Sequence, residues 1–241
     1  MSEKRELNAA VRSKVEDFTT QLVTAIGSDL AAVVVHGSSV RGGYREGQSD
    51  IDVVVVLERD SRATLEAAGE VLAKARSSYG IEAMIVTSAE LGGAADVFPL
   101  LYDDLGRESV CVHGGNPFAR ISVSDAHRRL RIEQELREAR IKLRRAASEA
   151  RGERIVLRRA VWQRLRQVRS PLAALLRLRG TSSSDDLDDV VRRASLLHDL
   201  DPAELVGEIE DPFAAYEALC ALLDRAIAYV DGLETTGKNI R

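Results

Sequence analysis

Short apolar runs alternate with helix-like stretches over residues 30–112. Four of these runs are rich in β-branched residues and are bounded by Gly, Asp or Ser, and they begin at Ala31, Ile51, Ile81 and Ser109. Such runs predict four strands. Apolar residues spaced three and four positions apart over 7–26 and 63–77 predict helices that cover the strands. The first half is therefore expected to be an α/β module with a mixed sheet.

Beyond Gly114 the pattern changes to long amphipathic stretches with few strand signals. Ser124 or Asp125 is a suitable N-cap for the first of them. Turn-forming residues interrupt the pattern at Arg151-Gly-Glu, at Gly180-Thr-Ser-Ser-Ser, and at the Asp-Pro pairs that begin at Asp201 and Asp211. This predicts four or five helices in a bundle. We expect an α+β fold, with an N-terminal α/β domain over 1–120 and a C-terminal α-helical bundle over 121–241.

The composition is that of a globular protein. The 241 residues are 45% hydrophobic and 30% charged, with only 5 prolines, which excludes disordered and fibrous classes. No apolar run approaches the roughly 18 residues of a membrane span, and the first residues lack the apolar stretch of a signal peptide. Cys111 and Cys220 have no metal-type spacing. We therefore expect a cytoplasmic protein with reduced cysteines and no membrane partner.

The net charge of -4 conceals an asymmetry along the chain. Residues 127–179 contain 17 of the 34 basic residues and 5 of the 38 acidic residues. Two interpretations follow: basic helices could receive a triphosphate or an anionic acceptor such as RNA, or they could be solvated faces paired with acidic side chains. Spacings of three and four beside Glu133, Glu135 and Glu138 favour the second interpretation for most of the arginines.

The most informative stretch joins two of the predicted strands. One strand ends at Gly37-Ser38, and after 11 residues the next begins at Asp50-Ile51-Asp52. The two-residue period of a strand places Asp50 and Asp52 on one face. Two carboxylates in a small volume resist joint ionisation unless a counter-charge is present, so a divalent cation is their natural partner. Oxygen ligands favour Mg²⁺ or Mn²⁺.

Gly37 and Ser38 supply features that suit a phosphate group. A glycine at a strand end lets the backbone approach a phosphate, and Ser38 adds a hydroxyl donor. Arg41 follows three residues later, and its guanidinium suits phosphate oxygens, although a solvated loop arginine fits the sequence equally well. A phosphate-binding turn beside a metal site is what phosphoryl or nucleotidyl transfer requires.

The third predicted strand contributes another acid, Glu82. If this strand lies beside the Asp-Ile-Asp strand, Glu82 projects toward the same site. It would then act as general base on an attacking hydroxyl or complete a second metal site, and the sequence leaves both roles open. His36 precedes Gly37 and is interpreted as a packed core residue.

The pattern of Gly37-Ser38, 11 residues and Asp50-Ile-Asp52 resembles the signature of the polymerase-β-like nucleotidyltransferase superfamily. It is especially similar to the minimal nucleotidyltransferases and the aminoglycoside adenylyltransferases, over about residues 30–115. The resemblance implies that Gly37 and Ser38 hold a triphosphate and that Asp50 and Asp52 bind the catalytic Mg²⁺. It also implies that Glu82 is the third acid, which acts as base in the adenylyltransferases.

The resemblance implies a metal-dependent enzyme that moves a nucleoside monophosphate, with AMP from ATP as the expected case, to a hydroxyl group of an acceptor. A small hydroxylated molecule fits the two-domain layout. The alternatives are adenylylation of a protein or RNA partner in an antitoxin-like system, and a non-catalytic nucleotide-binding interaction protein. Intact acids at all three positions argue against the non-catalytic form.

Overall fold

The computed structural model describes residues 6–41, 44–47, 49–181 and 186–233, together with the backbone of two short strands near the C-terminus. The chain divides into two compact units, Met1–Val123 and Ser124–Arg241. Within the described ranges, no helix combines the length and the apolar character that a membrane crossing requires.

The first unit contains all four predicted strands. Its elements are α1 (Ala9–Ile26), β1 (Leu30–His36), α2 (Ser38–Arg41), β2 (Ile51–Leu57), α3 (Arg62–Tyr79), β3 (Ile81–Thr87), α4 (Pro99–Arg107) and β4 (Val110–His113). Short 3-10 turns lie at Gly27–Asp29 and Pro117–Arg120. The sequence pattern did not predict α2 and α4, because four and nine residues are too few to establish a helical period.

The sheet is mixed, as predicted. Its strand order is β3-β2-β1-β4, and β2 is parallel to β3, whereas β1 is antiparallel to both β2 and β4. Val53 and Val55 face the core that contains α1 and α3, whereas Val54 and Val56 face the core that contains α4. Because β2 is covered on both faces, its centre is a run of four valines, Val53–Val56, without polar alternation.

The helices that cover the first face begin and end at the expected kinds of residue. The side chain of Asn8 accepts a hydrogen bond of 2.8 Å from the Val11 amide and caps α1. Ser61 caps α3 in the same way, and Gly80 ends α3 in the left-handed conformation. The strand β3 starts directly after Gly80, so the end of α3 determines where β3 enters the sheet.

The second unit is the predicted helical bundle. Its elements are α5 (Asp125–Ala150), α6 (Arg154–Leu178), α7 (Leu187–Leu197), α8 (Pro212–Asp231) and the paired strands β5 (Thr235–Thr236) and β6 (Asn239–Ile240). The Ser124 hydroxyl accepts a hydrogen bond from the His127 amide, which identifies Ser124 as the N-cap. The predicted breaks at Arg151 and Asp211 coincide with helix ends.

Candidate active site

Three polar side chains form a row across neighbouring strands. His36 of β1 is paired in register with Asp52 of β2, and Asp52 is paired with Glu82 of β3. The strand period places all three on the face that carries Val54 and Val56, where α4 packs. Because β3 lies beside β2 and is parallel to it, Glu82 is the lateral neighbour of Asp52. This is the arrangement expected if the two strands are adjacent.

Gly37 lies against the Asp52 carboxylate. Its φ of +74° is in the left-handed region, and a Cβ atom at this position would lie 2.2 Å from Asp52 Oδ2. The Gly37 carbonyl accepts hydrogen bonds of 3.2 Å from the amides of Val40 and Arg41, which turns the chain from β1 into α2. Only glycine meets both demands at this position. The turn thus brings Gly37 next to Asp52, one member of the predicted acid pair.

Asp50 and Glu82 lie at the more open side of the site. Asp50 is exposed and precedes β2 by one residue. The Glu82 side chain is 44% exposed, and its Oε1 lies 3.0 Å from Nη2 of Arg76 on α3. Within the described ranges, no three His, Cys, Asp or Glu side chains are grouped in an arrangement that could hold a metal ion. The structure therefore pairs Asp52 with Glu82 in register without forming a three-acid cluster.

Arg41 is held by a buried acid that the sequence analysis missed. Nη1 of Arg41 lies 3.7 Å from Oε2 of Glu108, and the two side chains are only 17% and 6% exposed. Glu108 lies in the connection between α4 and β4, where a polar residue usually faces solvent. No local pattern in the sequence predicts that Glu108 is buried, because its burial depends on the contact between the end of α2 and the residue that follows α4. Arg41 is thus a fixed side chain and not a solvated loop arginine.

His36 is neutral at ordinary pH. Burial, assisted by the positive charge of Arg41, lowers the pKa of the His36 imidazole from the usual 6.5 to about 4. The side chain therefore adds no cationic charge next to Asp52. The interpretation of His36 as a packed residue at the strand end agrees with its partial burial.

We expect His36 to make the fold sensitive to acid. The unfolded chain takes up a proton near pH 6.5, whereas the folded chain does so only near pH 4. Stability is therefore fully present above pH 6.5 and is lost as the pH falls toward 4, by up to about 3 kcal/mol. Urea denaturation at several pH values should show that His36→Gln flattens this slope. His127→Gln, which alters an exposed histidine, should leave the slope unchanged, and an equal effect of both variants would contradict the assignment.

Comparison with known proteins agrees with this arrangement. Residues 13–101 match the family model described as the nucleotidyltransferase domain, and this segment includes β1, β2 and β3 with the polar row. No curated protein sequence matches the chain. Among solved structures, the spectinomycin adenyltransferase AAD(9) from Enterococcus faecialis, crystallised with ATP and spectinomycin, is similar with a TM-score of 0.51. The identity is 13%, and the similarity covers 91% of this chain and 97% of the other, which shows a shared fold.

The matched segment supports the assignment of a nucleotidyltransferase domain. The family model covers the strand, the glycine turn and the acidic strand in the order in which they occur here. The structure adds the contact between the turn and the Asp52 carboxylate. Residues 13–101 of the N-terminal unit therefore form a nucleotidyltransferase domain, as the resemblance to the polymerase-β-like nucleotidyltransferase superfamily implied, and the protein is a transferase.

Proposed function

We propose that this protein transfers AMP from ATP to a hydroxyl group of a small acceptor molecule in a Mg²⁺-dependent reaction. The observation that carries the proposal is the contact between the Gly37 turn and the Asp52 carboxylate, which joins a phosphate-binding turn to an acidic strand. In this reaction the acceptor oxygen bonds to the α-phosphorus, the bond to the β-phosphate breaks, and pyrophosphate leaves.

Asp50 and Asp52 suit a divalent cation. Asp52 is the second residue of β2 and the exposed Asp50 precedes the strand by one residue, so the strand period predicts both carboxylates on one face. The space that a Cβ of residue 37 would fill is taken by the Asp52 carboxylate, so that carboxylate is directed at the turn expected to carry phosphate. Such oxygen donors suit Mg²⁺ or Mn²⁺. When bound, the ion neutralises charge on the phosphate oxygens and aligns the reacting groups.

Residues of the protein itself bind the triphosphate and accept the proton of the acceptor hydroxyl. Gly37 and Ser38 bind the triphosphate through the backbone and a hydroxyl group, and Arg41 donates to phosphate oxygens. Glu82 accepts the proton of the acceptor hydroxyl. Its ion pair with Arg76 joins side chains that are 44% and 72% exposed. Because exposed pairs of this kind contribute little free energy, the contact does not prevent Glu82 from turning toward an acceptor.

The choice of donor and acceptor rests on the structural neighbour. The AAD(9) structure contains ATP and spectinomycin, a triphosphate and a small molecule, and its similarity extends over 91% of this chain. This supports ATP as the donor and a small hydroxylated acceptor. This support is an analogy of fold, because proteins with the same fold can act on different substrates.

The proposal is tested by incubating the purified protein with Mg²⁺ and each of the four α-labelled triphosphates. The acceptors are a panel of aminocyclitols and aminoglycosides, individual purified RNAs, and the proteins of a cell lysate. The readouts are pyrophosphate release and transfer of the label. We expect label from ATP on one small molecule. Transfer to protein or RNA alone would overturn the choice of acceptor, and nucleotide binding without any transfer would overturn the enzymatic proposal.

We expect Arg41→Gln to raise the KM for ATP by about tenfold or more. Hydrogen bonds to charged groups contribute about 1.5–3 kcal/mol, and each 1.4 kcal/mol is a factor of ten. The variant should also lose stability, because the buried Glu108 carboxylate would lose the positive charge of Arg41 beside it. Steady-state kinetics and thermal unfolding measure the two effects separately.

The double variant Arg41→Gln/Glu108→Gln separates binding from structure. With both charges removed, neither is buried alone, so the stability should recover while the KM for ATP stays high. Recovery of KM together with stability would mean that Arg41 has only a structural role. Arg62→Gln/Glu66→Gln makes the same chemical changes in an exposed ion pair of α3 and is the matched control.

A further inference from the structure

The arginines of α5 and α6 differ in how they are neutralised. On α5, most described arginines form ion pairs with acidic side chains on the same helix or on α8; examples are Arg131 with Glu135 at 2.8 Å and Arg145 with Glu149 at 2.7 Å. The interpretation of the basic region as a solvated, paired surface is therefore correct for this helix. The 25 residues of α6 contain seven arginines and no Asp or Glu, so their partners must come from other elements, as Asp211 does for Arg154 at 3.1 Å.

One exposed stripe of α6 combines positive charge with apolar and aromatic surface. The α6 stripe consists of Ile155, Arg159, Trp162 and Arg166, which recur at helical spacing on the side opposite the buried residues. Ile155 is 80% exposed and Trp162 is 45% exposed. Ile155 and Trp162 thus expose an aliphatic side chain and an aromatic ring on one helix face, two turns apart.

Arg159 and Arg166, the two arginines of the α6 stripe, have no acidic partner among the residues that the structure describes. The Arg166 guanidinium lies over the Trp162 ring, 4.8 Å from its centroid. Both groups are planar and can stack on a nucleobase, and the guanidinium also carries the charge that a phosphate needs. The stripe thus offers stacking surface and unneutralised positive charge together.

We propose that the α6 stripe binds single-stranded RNA. Nonspecific binding of single strands combines positive charge that follows the backbone with aromatic side chains on which bases stack. Arg159 and Arg166 are seven residues apart, or about 10 Å along a helix axis. Three stacked nucleotides rise by about the same distance. Trp162 lies between the two arginines, where a base stacked on it would have phosphates within reach on either side.

An unpaired strand fits this stripe better than a duplex does. Base faces are available for stacking only where bases are unpaired, and unpaired segments are the usual targets of RNA recognition. The stripe offers an indole and an aliphatic side chain, on which an unpaired base can stack, whereas the bases of a duplex are already stacked on one another. The inference does not depend on the proposed nucleotidyl transfer, because it concerns binding alone.

The experiment uses the full chain without triphosphate or Mg²⁺ and a fluorescein-labelled 12-nucleotide single-stranded RNA of mixed sequence. Trp162 is the only tryptophan, so quenching of intrinsic fluorescence reports on the α6 stripe directly, and anisotropy gives the Kd. We expect quenching and binding that weakens with salt. Trp162→Ala should weaken binding at least about tenfold. Arg159→Gln/Arg166→Gln should weaken it and lower the salt slope by about 1.4.

Matched controls decide between this stripe and general basic character. Arg131→Gln/Arg145→Gln removes the same charge from paired positions on α5 and should leave the Kd within about twofold. Thermal unfolding verifies that each variant folds, and Trp162→Phe, which keeps an aromatic ring, should retain most of the affinity. Equal loss in the α5 control, or no tryptophan quenching, would overturn the proposal. Equal binding of duplex RNA or of polyglutamate would overturn the choice of single-stranded RNA as the partner.

Discussion

Asp52→Asn should reduce nucleotidyl transfer by at least about a thousandfold. The substitution keeps the shape of the side chain and removes the charge that we assign to the metal site. Metal ions contribute several kcal/mol of transition-state stabilisation, and each 1.4 kcal/mol is a factor of ten in rate. The effect should appear in kcat, measured as pyrophosphate release at saturating ATP, and higher Mg²⁺ should restore only a small part of it.

The control for this variant is Asp60→Asn. Asp60 is an exposed acid that follows β2 by three residues, so it has the same charge in the same unit but lies at the other end of the strand from Asp52. Its activity should stay within about twofold of the unaltered protein, as expected for a surface substitution. If Asp52→Asn retained a tenth of the activity, Asp52 would not hold the catalytic ion.

Gly37→Ala should abolish most of the activity while the protein stays folded. The new Cβ would lie 2.2 Å from Oδ2 of Asp52 and 3.1 Å from its Cγ. Because these atoms belong to a side chain, Asp52 can move away, but its carboxylate then leaves the position beside the turn. A left-handed backbone adds about 1–2 kcal/mol of strain for any residue other than glycine. We therefore expect a loss of kcat of about a hundredfold or more, since small misplacements of reacting groups cost that much.

Gly80→Ala separates the backbone strain from the steric clash. Gly80 has a φ of +65°, close to the +74° of Gly37, but a Cβ there meets no atom within 4 Å. Both variants should lose a similar free energy of unfolding in urea, and only Gly37→Ala should lose activity. The losses from Gly37→Ala and Asp52→Asn should also fail to add, because both act through one carboxylate. Equal activity in the two glycine variants would rule out the contact as the cause.

The sheet was predictable because its strands carry strong local signals. In β2, for example, Val53–Val56 is an unbroken run of β-branched apolar residues, and fully buried strands do not need a polar alternation. The helix α4 was missed for the opposite reason. It has nine residues, and two of its buried residues, Asp103 and Asp104, are acids that a sequence pattern assigns to the surface.

The prediction for the basic region was correct for one helix and incomplete for the next. Glu133, Glu135 and Glu138 identified α5 as a helix with paired charges, because partners four residues apart meet on a helix surface. On α6 no acid is present in the helix, so its charge could be paired only through contacts distant in sequence. The exposure of Trp162, which is 45%, also depends on contacts distant in sequence.

The sequence by itself determined the local parts of the site. The turn at Gly37-Ser38 and the two-residue spacing of Asp50 and Asp52 are properties of a short segment, because strand geometry places alternate residues on one face. Only the tertiary structure decided which distant residues meet them. Glu82 became the neighbour of Asp52 because β3 pairs in parallel with β2, and Glu108 became the partner of Arg41 because α2 meets the end of α4. Strand order and helix packing depend on burial summed over the whole unit, and no single segment contains that information.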